Sequence, residues 1–193
     1  MRTLILGLVL LVAALSPARA LTEEQLVDVY SHAYDASGKL TKADFRQIAR
    51  FEIMVADWNA GLAPMVRGLR DPGMVPAEWA RSARRSLDDL SQLKLKMTIA
   101  VSQIEDAPAR SIVKQIADIN GQMLFAWEDV RQAVIDGDEA AYRRAGMKAQ
   151  GLAQEKIVVA GPVLRRLREK LGDKAVDGAL ERELREMARK SGL

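Results

Sequence analysis

The chain predicts an all-α fold, an up-down-up-down four-helix bundle with a short N-terminal helix and an extra C-terminal amphipathic helix. Three observations carry this. Apolar residues recur at alternating spacings of three and four over four long stretches, the signature of one buried helical stripe. Proline and glycine fall between those stretches and mark the turns. No run alternates apolar and polar residues in the way a half-buried strand requires.

The elements follow in order. Met1-Arg2-Thr3, an apolar run from Leu4 to Leu15, and Ser16-Pro17-Ala18-Arg19-Ala20 form a secretory signal at 1-20, with small residues placed for cleavage near Ala20. The run is too short to span a bilayer, which takes about 20 apolar residues. The expected mature protein is a single helical-bundle domain, 21-193, periplasmic or secreted from a bacterium. Two helix starts share one local grammar. Thr22 and Thr41 are N-caps, Gln25 and Asp44 occupy the third helical positions, and Leu21 to Leu26 and Leu40 to Phe45 are hydrophobic staples. They open a short helix at 22-34 and a longer one at 41-63, whose seam is Ile48, Phe51, Val55, Trp58 and Leu62.

Pro64, Gly68, Pro72, Gly73 and Pro76 then predict an irregular connection. It would expose Met65, Val66, Leu69, Met74 and Val75, and is the first choice for a contact surface. The next helix, 77-106, carries Ala83, Ser86, Leu90, Leu93, Met97, Ala100 and Ile104. Pro108 opens the helix 108-136, with Ile112, Ile116, Ile119, Met123, Ala126, Val130 and Ala133 as its seam. Asp138 caps the helix 138-171. Its upper seam is Tyr142, Ala145, Ala149 and Leu152. Its lower seam, shifted in phase, is Ile157, Ala160, Leu164, Leu167 and Leu171, with a kink expected at Gly161-Pro162. The segment 173-190 shows Val176, Leu180, Leu184 and Met187 on one stripe and should dock on the bundle or on a partner. Short turns make consecutive helices antiparallel neighbours.

Composition narrows the chemistry. The chain has no cysteine, which excludes disulfides, thiol-attached lipid and a Cys-x-x-Cys-His haem site. His32 is its one histidine, so no multi-histidine metal site can form within one chain, and no Gly-x-Ser-x-Gly elbow presents a serine. Formal net charge is +3 from 29 basic and 26 acidic residues; loss of Arg2 and Arg19 with the signal leaves 27 against 26. Near-neutrality gives no general pull on phosphate, so nucleic acid is not an expected partner.

The topology places Trp58, Trp79 and Trp127 in one half of the bundle, with Tyr142 and the Pro/Gly-rich connection. Asp57, Asn59, Arg67, Arg81, Arg84, Glu128, Arg131 and Arg143 lie nearby. Such a set reads either as an aromatic, arginine-lined pocket or docking end, or as tryptophans filling the wider end of an alanine-rich bundle. The candidate ligand or partner residues are therefore Trp58, Trp79, Arg84, Trp127 and Arg131, with Met65, Leu69 and Met74 from the connection. Lys94, Asn120 and Glu155 could share a layer, but each flanks a seam and is expected to reach solvent. Met54, Met97, Met123 and Met147, near helix centres, suit core filling better than copper.

The segment Tyr34 to Phe45 resembles the later part of an EF-hand calcium loop. Asp35, Ser37 and Gly38 match its third, fifth and sixth positions, Leu40 and Thr41 its eighth and ninth, and Asp44 its last. Ala33 stands at the first ligand position and Asp44 replaces the bidentate Glu, so the resemblance implies at most a weak calcium site on Asp35, Ser37 and Asp44. No other cofactor is expected. Ile104-Glu105-Asp106, with Arg110 downstream and Lys96 upstream, is similar to a segment of exported chorismate mutases, which are all-helical and cofactor-free. The Gln-Ile-Glu-x-x-Lys helix of that family has no counterpart here, and no roles carry over.

The functional expectation is an exported, non-catalytic interaction or small-ligand-binding protein of the cell envelope, without a transmembrane anchor and open to homo-oligomer formation. Its alternatives are a weak calcium binder through 33-45 and a cofactor-free helical enzyme.

Overall fold

A computed structural model describes residues 33–35 and 38–171, excluding the side chains of residues 164, 167, 168, 170 and 171. The signal at 1-20, most of the helix expected at 22-34, Ser37 and the C-terminal helix at 173-190 lie outside the described residues. Those described are all-helical and contain no strand, and the chain is free of cysteine. Four long helices follow in order: α1 (Lys42–Arg70), α2 (Pro76–Ser102), α3 (Ala107–Asp136) and α4 (Glu139–Leu171). Each packs on the next, while α1 and α4 approach less closely than consecutive helices do. Among the described residues no helix is long and apolar enough to cross a membrane.

The helix starts are local chemistry. Thr41 and Asp44 close a capping box on α1, with Asp44 N–H donating to Thr41 Oγ1 at 3.1 Å and Thr41 N–H donating to Asp44 Oδ2 at 3.1 Å. The Asp106 carboxylate accepts from Ala109 N–H at 3.3 Å to cap α3. Gly137 ends α3 at φ 65°, a left-handed position that glycine occupies without steric cost. Asp138 accepts from Ala141 N–H at 2.9 Å and starts α4.

The sequence expectation fails at the end of α1. The helix does not stop at 63 but continues through Pro64 and Gly68 to Arg70, leaving a turn of only 71–75. An interior proline removes one backbone hydrogen bond and costs about 3 kcal/mol. Here Pro64 is exposed, and the added turns bury Met65 and most of Val66 and Leu69. Burying one such side chain fully contributes about 1.5–3 kcal/mol, so the extension offsets the proline. Gly68 has a packing role: a Cβ there would lie 2.6 Å from Trp79 Cδ1. The indole seated on it donates from Nε1 to the Met65 carbonyl at 3.0 Å. Of the five apolar residues expected to be exposed in this region, only Val75 is, at 50%.

Two other expectations need correction. The helix expected to reach 106 ends at Ser102, and Ile104 is fully buried in the turn that follows. On α4 the upper seam of Ala145, Ala149 and Leu152 is buried; of the expected lower seam Ala160 packs partly buried against the core beside Val159 and the buried Val163, and the side chains of residues 164, 167 and 171 lie outside those described. Ile157, expected inside, is 48% exposed.

Candidate functional site

The α3 helix packs on both α2 and α4, so it buries a broad face, and Trp127 sits at its edge together with Val130. Val66 and Leu69 approach from the extended end of α1. Tyr142, Arg143, Gly146, Met147, Ala149 and Gln150 approach from α4. These residues enclose an open cleft of about 110 Å³ along the looser α1–α4 seam. Its walls are apolar. Tyr142, Arg143 and Gln150 supply the polar groups, and burial pushes the Tyr142 hydroxyl pKa up, keeping it a neutral donor and acceptor. Arg143 is exposed and its Nη2 pairs with Glu139 Oε1 at 2.6 Å. The lining offers apolar contact and a few hydrogen bonds around a small space.

The candidate residues divide between cleft and core. Trp127 and Leu69 line the cleft. Trp58 is fully buried, Trp79 seals α1 against α2, and Met65 is buried beneath that contact. Met74 packs in the intervening turn, partly buried against the core. Arg84 and Arg131 converge on Glu128 between α2 and α3 rather than on the cleft. Arg131 Nη2 meets Glu128 Oε1 at 2.7 Å and its Nε meets Oε2 at 3.1 Å, a two-point grip, while Arg84 Nη1 stands 3.6 Å from Oε1. The hydrogen bond from Arg131 holds the Glu128 carboxyl below its usual range, and the same bond raises the Arg131 pKa.

Asp44, the last position of the calcium-loop resemblance, is 1% exposed and directed at protein donors. Its Oδ2 accepts from the Thr41 hydroxyl at 2.8 Å and from the Thr41 N–H. Its Oδ1 accepts from Glu105 N–H at 2.5 Å and Asp106 N–H at 3.4 Å. Burial pushes this carboxyl up, and the hydrogen bonds from Glu105, Thr41 and Asp106 outweigh it, leaving the pKa lowered. Asp35 Oδ1 accepts from Lys39 N–H at 2.8 Å and Leu40 N–H at 3.3 Å. Among the described residues no three acidic or imidazole side chains gather in metal-binding geometry.

The segment similar to chorismate mutases forms the α2–α3 turn. Arg110 Nη1 donates to the Ile104 carbonyl at 3.0 Å, Asp106 caps α3, and Lys96 and Glu105 are exposed. Lys94, Asn120 and Glu155 form no cluster: Glu155 is exposed, and Lys94 lies along Gly121 with its Nζ 5.4 Å from the Phe125 ring centre. Asn120, expected to reach solvent, is fully buried. Its Nδ2 lies 3.7 Å from Met97 Sδ, and its Oδ1 has no hydrogen-bond partner.

Sequence reasoning missed Gly146, Met147 and Gln150 as wall residues. The available signal was the spacing from Tyr142 through Gly146 to Gln150, which lines one flank of α4 beside its seam. Comparison of the chain with protein-family models, with curated proteins and with solved structures gives no match.

Proposed function

We propose that this is an exported protein of the bacterial cell envelope, an up-down-up-down bundle that acts as an interaction module by accepting an apolar anchor from a partner. The observation that carries the reading is the size and lining of the α1–α3–α4 cleft. Sites for drug-sized ligands and cofactors span about 300–1,000 Å³. A space of about 110 Å³ suits one large apolar side chain or a fragment of that size. Interfaces commonly concentrate their energy in such pockets, where an aromatic or aliphatic anchor is fully desolvated. Met147, 58% exposed at the wall, gives the site a flexible edge that can mould to an anchor. The sequence at 1-20 supports export, and the helix ends that bracket three short turns support the bundle topology.

Gly146 provides a clean test because a side chain there meets no atom of the protein within 4 Å at Cβ and grows toward the cleft. Gly146→Leu should fill the site, keep the helical circular dichroism signal and abolish capture of an envelope protein by cross-linking. Retained capture by a well-folded Gly146→Leu protein would overturn the anchor reading. A small-ligand reading is separated by thermal shift with indole and phenol. Stabilisation that saturates for wild type and vanishes for Gly146→Leu would favour it, since a ligand at a hundred times its Kd adds about 2.7 kcal/mol.

A further inference from the structure

We infer that residues 22–32 of this chain dock on the outer face of α1, antiparallel to it, from Glu52 up to Ala63. There they close the α1–α4 side below the cleft. The path starts from residues already seated on it. Ala33 and Tyr34 are helical and 0% and 1% exposed. The Tyr34 hydroxyl donates to the Glu52 carboxylate of α1, and Arg166 Nη1 of α4 donates to the Ala33 carbonyl at 3.1 Å. A turn then reverses the chain into α1, with Asp35 Oδ1 accepting from Lys39 and Leu40 N–H and Gly38 at φ 69°. The segment that precedes Ala33 is therefore directed back along α1, toward the cleft.

A second observation requires a cover on this face above Tyr34. Ala56 is 3% exposed, yet it is not part of the contiguous core. It stands about 120° or more round α1 from Phe51, Trp58, Leu62 and Met65, the buried seam. Gly61, where a Cβ would lie 3.0 Å from Leu90 Cδ2, marks the side turned to α2, and Ala56 is about 140° from that as well. Asn59, which accepts a hydrogen bond from Lys156 of α4, is itself exposed. Tyr34 sits one turn lower, at Glu52.

Register and length assign the cover to the chain itself. With Tyr34 beside Glu52, an antiparallel helix brings Tyr30 level with Ala56 and Leu26 between Asn59 and Ala63. Thr22 then comes about 18 Å above Tyr34, level with Pro64. Leu26, Tyr30 and Ala33 recur at spacings of four and three, so one apolar stripe runs down to the buried Ala33. Tyr30 on Ala56 sets a large side chain over a small one, and Glu23 comes within a turn of the exposed Arg67. The chain after Leu171 leaves α4 at the same end of the bundle, but its way onto this face is taken at Glu52 by Tyr34. The inference does not rest on the anchor reading: the covered face ends at Ala63, and on α1 the cleft begins at Val66. The cleft is then the part of the α1–α4 side that stays open to a partner.

The chain has no cysteine, so introduced thiols report single positions. On mild oxidation of the purified protein, Tyr30→Cys combined with Ala56→Cys should close a disulfide within one chain. Tyr30→Cys combined with Gln92→Cys, exposed on α2, should not. Ala56→Cys alone should react with a maleimide at least tenfold more slowly than Gln92→Cys. Adding Tyr30→Asp should raise its rate to that of Gln92→Cys while the helical circular dichroism signal is kept. Ala56→Cys that reacts as fast as Gln92→Cys, or that stays protected alongside Tyr30→Asp, would overturn the inference. So would a disulfide between chains, which puts a second copy on this face. A disulfide formed by Leu180→Cys with Ala56→Cys, and not by the Tyr30 pair, would equally overturn it by giving the face to residues 173–190.

Discussion

Asp44 ties the start of α1 to the α2–α3 turn, and its removal has a calculable cost. In Asp44→Ala the Thr41 capping box opens, worth about 1 kcal/mol. The Glu105 N–H, 2.5 Å from Asp44 Oδ1, loses a charged acceptor. An orphaned donor costs about 1–3 kcal/mol, and because Glu105 is exposed and water can reach it, the lower half of that range applies. Together these give about 2–3 kcal/mol, or a Tm lower by about 4–12 °C for a chain of this size. Asp44→Asn should cost nearly as much, since it puts an amide donor where the carboxylate receives donors on both oxygens. The pH dependence supplies the second readout. The hydrogen bonds from Glu105, Thr41 and Asp106 hold the folded pKa of Asp44 below the ordinary aspartate range despite its burial, so its contribution is complete above the unfolded pKa and is lost as pH falls through the folded one. Urea unfolding at pH 7, 5, 4 and 3 should therefore show the gap between wild type and Asp44→Asn constant at first and closing below about pH 4. An Asp44→Ala protein within 0.5 kcal/mol of wild type at pH 7, or a gap equally wide at pH 3, would refute the clamp.

Other consequences follow from packing. Gly68→Ala drives a methyl to 2.6 Å from Trp79 Cδ1, on a ring held by its bond to Met65, and should cost about 1–3 kcal/mol in urea unfolding. Gly146→Ala meets nothing and should stabilise by about 0.5–1 kcal/mol; a loss at this position would contradict the open space at the cleft. Asn120→Leu replaces a fully buried amide whose Oδ1 has no partner, and should leave the urea midpoint unchanged or raised. A fall of more than about 1 kcal/mol would mean that the amide is satisfied by a buried water.

Much of the architecture was legible because helix formation is local. The cap at Thr41, the stop at Gly137 and the stripes of α2 and α3 depend on residues within a few turns of one another. The end of α1 was misread for a related reason. Pro64 and Gly68 are breakers by local propensity, and only the contact with Trp79, on the following helix, shows why the helix runs through them. The candidate site was legible in part: Trp127, Leu69, Tyr142 and Arg143 could be placed near one end from topology. Trp58 and Trp79 sank into the core, and Arg84 and Arg131 turned to Glu128, because side-chain direction depends on how each helix is rotated about its axis. A periodicity of three and four leaves that rotation uncertain by about one residue, enough to exchange a buried flank for an exposed one.

The amino-acid order alone determined that the described chain is helical, where most helices begin and end, and which broad face of each is apolar, since these are properties of 3.6-residue periodicity and of capping groups a few residues apart. Only the tertiary structure decided that α1 extends to Arg70, that Asn120 is buried while Ile157 is not, and that Asp44 holds a turn 61 residues away. It also opened the cleft between α1, α3 and α4. The physical reason is that these features are set by how far apart the helices stand and how each is turned, which emerges from the packing of all four at once.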